Sequence, residues 1–185
     1  RDCCVLQCSN CELMLREENH AFIPVNWQIV RSGNHKMKYL PFWCIAYRTT
    51  GSKELQTFGD YLKFTNQPII SKRAEIANRL SFLIPAFKVN PKAFLQLSSQ
   101  LTLQQNKIPS GNKGRVTHGY PVNLNEKEAF QAIKSVLAAT TIAREKRFPL
   151  LPEIGIKKSA SILTYLPFSQ SPHDLVQEHT GATIQ

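Results

Sequence analysis

Apolar and polar positions divide this chain into short runs of differing period. Residues 20–31, "HAFIPVNWQIVR", are apolar and extended in character, with Pro24 restricting that point to an edge or a strand start. After the turn signal "SGNH" (32–35), residues 36–51 alternate: Trp43, Ile45 and Tyr47 against Cys44, Ala46 and Arg48. The two segments predict strands joined as a hairpin. "LSFLIPAF" (80–87) and "SILTYLPF" (161–168) predict buried strands from their continuous apolar runs.

Helical spacing appears elsewhere. In residues 90–105, Asn90 reads as an N-cap and Pro91 as the first helical residue, with Phe94, Leu97 and Leu101 on one stripe. Residues 126–144 predict the longest helix. Asn125 and Glu128 form a capping box, and Ala129, Phe130, Ile133, Val136 and Leu137 draw its apolar face. "REKR" (144–147) places cations where the helix dipole favours them. Shorter helices are predicted at 71–80, capped by Ser71, and at 171–181, between Pro172 and Gly181. "ATIQ" begins a further element, residues 52–80 are otherwise ambiguous, and residues 106–121 form a Gly/Pro/Asn-rich loop. "YLPF" occurs at 39–42 and at 165–168, with "IPAF" at 84–87. The echo is either a repeated strand–Pro–Phe–helix unit or a reuse of strand-end prolines.

These elements predict an α+β fold: a mainly antiparallel sheet with two or three packed helices. Length allows one or two domains, and no apolar run is long enough to span a bilayer. With no signal-peptide pattern, a cytoplasmic location is expected. The chain starts at Arg1 rather than Met, which reads as a processing boundary with sequence before it.

The net charge of +10 is concentrated. Residues 61–118 hold nine Lys/Arg against Glu75 alone, a local +8, while each flank carries +1. Lys63, Lys72, Arg73, Arg79, Lys88, Lys92, Lys113 and Arg115 therefore become candidate contacts for nucleic acid, another anion or an acidic protein. A solubilising face is the alternative. Trp27, Tyr39, Phe42, Trp43, Tyr47, Phe58, Tyr61 and Phe64 interleave with bases as stacking platforms do, but their alternation favours a buried core.

Four of five cysteines lie in "CCVLQCSNC" (3–11). Cys8 and Cys11 form a CxxC turn, able to present two thiolates to one ion. Structural zinc needs four ligands, and no second CxxC follows. The remaining candidates are Cys4, Cys3, His20 and Cys44, or a knuckle upstream of Arg1. The preferred expectation is half of a zinc ribbon, with metal absent if that ribbon is truncated. Cys4-x3-Cys8-x2-Cys11 also has an iron–sulfur spacing, but the barrel such chemistry needs is missing. A redox CxxC lacks its βαβ unit, and Cys44 reads as a small buried apolar residue.

Familiar catalytic motifs are absent from the sequence. "SGNKG" (110–114) is a weak basic loop without the ending of a phosphate-binding P-loop. His118, beside Arg115 and Tyr120, is the best lone candidate for chemistry.

"CSNC", "YLPFW" (39–43), "IPAF", "LTLQQ" (101–105) and "LTYLPF" (163–168) resemble phrases of uncharacterised bacterial proteins with an N-terminal zinc ribbon and a β-rich region. That resemblance implies a metal-stabilised N-terminus and no known activity. The organisation expected is a zinc-ribbon-like knuckle over 1–19 and an α+β domain over 20–185. The function expected is a non-catalytic module binding nucleic acid or a protein through its basic central segment. An enzyme with a site near the 106–121 loop, or an assembly domain of a larger protein, are the alternatives.

Overall fold

A computed structural model describes residues 3–50, 55–68, 72–142 and 148–184. The protein is α+β with mostly antiparallel sheets. β1 (Leu6–Gln7), β2 (Met14–Glu18) and β3 (Ala21–Pro24) form a small antiparallel sheet. β4 (Trp27–Ile29), β5 (Lys38–Thr50), β6 (Ser81–Pro85), β7 (Gly155–Gln170), β8 (Leu175–Gln177) and β9 (Thr183–Ile184) form the main one. Its order is β6-β5-β7-β8-β9, with β4 paired parallel to β7. The helices are α1 (Phe58–Thr65), α2 (Arg73–Ile76), α3 (Pro91–Leu103), α4 (Glu126–Gln131) and α5 (Ile133–Thr140). Among the described residues, no helix is long and apolar enough to cross a membrane.

The three related phrases lie side by side. Within the long β5–β7 ladder, Tyr39 faces Pro167, Leu40 faces Leu166 and Pro41 faces Tyr165, so the two "YLPF" copies pair antiparallel with each other. Pro85 of "IPAF" faces Phe42 from the other side. The echo is therefore a pairing device rather than a repeated strand–helix unit. Phe42 stacks on Phe168 at 6.0 Å between ring centroids and meets Phe87 edge-on at 5.6 Å. Leu97 and Leu101 of α3 complete this cluster.

Proline is tolerated mid-sheet because each one sits where a neighbouring strand changes. On one side of β5, Tyr39 exchanges hydrogen bonds with His118 and Tyr120, whereas Pro41 accepts from Ala86 beyond β6. Pro41 thus occupies the junction between those partners, where a missing N–H costs no ladder bond. Pro167 lies between the reach of β4, which ends at Tyr165, and that of β8, which begins at Phe168.

Alternation in β5 holds as expected. Tyr39, Trp43, Ile45 and Tyr47 join the larger core beneath α1, α4 and α5, while Leu40 and Phe42 enter the phenylalanine cluster. All eight interleaved aromatics are buried there. Cys44 is half-buried against the phenylalanine cluster, and burial raises its thiol pKa. Helix α3 and the 3-10 turn after it shield the outer edge of β6: Thr102 Oγ1 accepts from Leu83 N, and Gln105 Oε1 from Ser81 N.

Several expectations are corrected. The segment at 20–31 does not form a hairpin with 36–51, because β6 and β7 already flank β5, and β4 pairs with β7 instead. Residues 171–181 are not helical. Ser171 N bonds Asp174 O, closing a turn, and Gln177 Oε1 gathers the N–H groups of His179 and Thr180. Gly181, at φ +71°, serves the β8–β9 turn rather than a helix end. The pattern at 126–144 yields two helices broken at Ala132, with no sequence signal at the break. Helix α1 falls in the ambiguous region, although its Thr57–Asp60 capping box was a readable signal. α2 starts after Lys72, and Ser71 and the "REKR" run lie outside the described residues.

Phe42→Ala would remove a fully buried ring from the contact between the three phrases. Urea denaturation should show a loss of about 3–5 kcal/mol; a loss below about 1 kcal/mol would contradict this account of the core.

Candidate functional site

The CxxC residues lie in the turn between β1 and β2. Cys8 N bonds Leu13 O, Glu12 N returns to Cys8 O, and Glu12 itself is left-handed at φ 59°. The backbone N–H groups of Cys11 and Asn10 point at the Cys8 sulfur and lower its pKa. The turn thus favours a thiolate at Cys8, with the Cys11 side chain beside it. Cys3 and Cys4 are placed differently: Cys4 N bonds Val122 O, and Cys3 Sγ reaches Val5 O. His20 occupies the β2–β3 turn. Among the described residues, no three His, Cys, Asp or Glu side chains converge to hold a metal ion.

The densest polar cluster was not legible beforehand. Glu126, the first residue of α4, is buried. Its carboxylate accepts from Arg16 of β2, from Ser161 of β7, and from Lys158 Nζ at 2.7 Å. Burial pushes its pKa up, but the hydrogen bonds from Lys158, Ser161 and Arg16 outweigh that and hold it below the ordinary value. Arg16 also pairs with Glu18 at 2.9 Å. Beside the cluster is a cavity of about 410 Å³ with Trp43, Phe130 and Cys4 on its walls. Its charged lining comprises Arg16, Lys127 and Lys158 against Glu17, Glu18 and Glu126. Three cations face three carboxylates, so no net charge remains to recruit an ionic ligand. The cluster reads as a tie between the small sheet, α4 and β7.

The eight candidate cations do not converge. Lys63 lies in the last turn of α1, Lys72 caps α2, Lys88 follows β6, and Lys92 lies in the first turn of α3. Arg73 lies in α2. Lys113 and Arg115 belong to the long loop, near Arg31, whose guanidinium lies over Gly114. Arg79 joins a further cationic group, with two partners from outside the basic segment. Arg48 of β5 stands directly opposite Lys157 of β7. Arg79, just before β6, reaches across β5 to donate to Ser159. A β-bulge between Ala46 and Tyr47 brings Ser159 to this point. Arg48 and Arg79 also line a cavity of about 600 Å³ with Thr49, Gln56 and Thr57. This row lies at one end of β5, and Lys113 and Arg115 near the other, about 30 Å away at 3.3 Å per residue.

The 106–121 loop is strapped to the sheet. Asn112 and Ile29 exchange backbone bonds at 2.8 and 3.0 Å, and Gly111 is needed because a Cβ there would press on Ile29 O. His118 and Arg115 are exposed, and neither lines the cavities at Glu126 or at Arg48. Comparison with family models, curated proteins and solved structures returns no match.

Glu126 gives a signed pH prediction. A carboxyl whose folded pKa is depressed stabilises the fold above its unfolded pKa of about 4.3, and that stability is lost as pH falls through the folded value. Glu126→Gln should cost about 1–3 kcal/mol at pH 7. The gap to the wild type should narrow as pH drops below about 4, as read by chemical denaturation across pH. A gap independent of pH would show that the lost stability is not ionic.

Proposed function

We propose that this chain is a non-catalytic binding module that takes the phosphate backbone of a nucleic acid on the row Arg79, Arg48 and Lys157. The carrying observation is the placement of Arg48 opposite Lys157 on paired strands, with Arg79 reaching over the same strand. Like charges directly opposite each other destabilise a sheet. Among the described residues, no carboxylate forms an ion pair with any of the three. A bound phosphate would relieve that repulsion and release counterions. Arginine forks also suit phosphate oxygens. An acidic protein is the competing partner, and the charge row alone would accept either. The loop cations Lys113 and Arg115 lie too far from the row to share one small anion, but a nucleic acid strand could span both.

The Cys8–Cys11 turn fits zinc as half of a tetrahedral set, two thiolates with inward-pointing N–H groups. Bound there, zinc would brace the β1–β2 hairpin. Its role in this reading is structural, away from the basic row.

Fluorescence anisotropy with labelled single- and double-stranded DNA and RNA tests the binding reading. Affinity should fall with salt with a log–log slope of about −2 to −3, for two to three neutralised phosphates. Arg48→Gln should reduce that slope by about 1 without changing sequence preference. Arg115→Gln should have a smaller effect. Undetectable binding at about 50 mM salt, or an affinity indifferent to salt, would refute the proposal. Tighter binding to an acidic protein than to any nucleic acid would shift it to the competing partner.

A further inference from the structure

Three of the large apolar side chains exposed among the described residues lie on the small N-terminal sheet or its first turn: Leu6 in β1, Leu13 just before β2 and Phe22 in β3. They are not scattered. Register places Leu6 opposite Leu15, Leu15 opposite Pro24, and Glu17 opposite Phe22. Strand alternation then gives one outer face of Leu6, Leu13, Leu15, Phe22 and Pro24, interrupted by Glu17. The inner face sends Met14 into the core and Arg16 onto Glu126. The Cys8–Cys11 turn forms the tip of the hairpin that carries this outer face.

The tip and the face are both incomplete, and in the same direction. Zinc takes four ligands, and the turn offers two. Among the described residues no further metal-ligating side chains gather there. An apolar sheet face left in water is likewise half of a contact. One operation completes both. A two-fold contact sets a self-complementary surface against its own copy, doubling two thiols to four and laying apolar face on apolar face.

We propose that two copies of this chain meet through the outer face of β1–β3 and share one zinc ion held by Cys8 and Cys11 of each copy. This rests on the reading of Cys8 and Cys11 as zinc ligands. The occupant follows from symmetry: a second copy supplies both missing halves at once. Area decides the role of the metal. Strands of two, five and four residues, spaced about 4.8 Å apart, present only about 170 Å² of flat face. Stable interfaces cover about 800 Å² per partner. The apolar contact is therefore too small to hold the pair alone, and dimerisation depends on zinc.

Sedimentation velocity of the full chain, paired with elemental analysis after zinc titration and buffer exchange, tests this. The expected result is a dimer at one zinc per two chains, returning to monomer with a chelator. Cys8→Ser with Cys11→Ser should abolish both zinc and dimer. Phe22→Glu, a change at an exposed side chain outside the core, should weaken dimerisation at least tenfold with the thiols intact. A monomer holding one zinc per chain would overturn the shared site but keep the ligand assignment. Absence of zinc, with the chain monomeric or Cys8 and Cys11 joined as a disulfide, would overturn both. A dimer that persists in chelator, or that Phe22→Glu leaves unchanged, would also overturn the proposal.

Discussion

The pairing of β5 with β7 is the constraint on which the rest of the molecule depends. Thirteen residues of β5 run against the longest strand of the sheet, and the two "YLPF" phrases lie across from each other near one end. Phe42, Phe168 and Phe87 then converge on one face, while Trp43, Ile45 and Leu163 enter the core on the other. A sheet buried on both faces leaves little freedom for register, because a one-residue slip would exchange the two sets of side chains. The prolines reinforce this choice. Pro41 and Pro167 fit only where the neighbouring strand changes, so a slipped ladder would place them against carbonyls that need a donor.

The small N-terminal sheet depends on that body through few contacts of high consequence. Met14 reaches the main core, Val5 bridges to Val122, and Arg16 meets the buried carboxylate of Glu126. Glu126 in turn is reached from β7 by Lys158 and Ser161. Both oxygens of the Glu126 carboxylate are bonded, Oε1 by Lys158 and Ser161 and Oε2 by Arg16, which is why a buried carboxylate stays charged there rather than neutral. It also positions the CxxC turn, which hangs from β1 and β2 and has little contact with the core itself.

The expected basic segment shows how linear charge counting can mislead. Residues 61–118 are rich in cations, yet they wind through three helices, an edge strand and a loop, so their charges disperse over the surface. The group that does form draws Arg48 and Lys157 from segments of near-neutral balance. Strand register brought those two together across a gap of more than a hundred positions. A feature of that kind leaves no trace in a sliding window.

Local features were legible where a local interaction produces them. The Asn90 and Asn125 caps, the alternation of β5, the strand at β6 and the buried aromatics all follow from neighbouring residues or short periods, and the structure keeps them. The α+β class followed from the same signals. Strand partners, the helix break at Ala132, the strand at 175–177 and the cluster at Glu126 were decided only by tertiary structure. Each results from competition among distant segments for one sheet edge or one buried site, and the helix signals at Pro172 and Gly181 gave way to an open edge on β7. The sequence by itself determined which residues seek burial and where turns begin; the fold decided which of them meet, because pairing energy depends on what else lies across the strand.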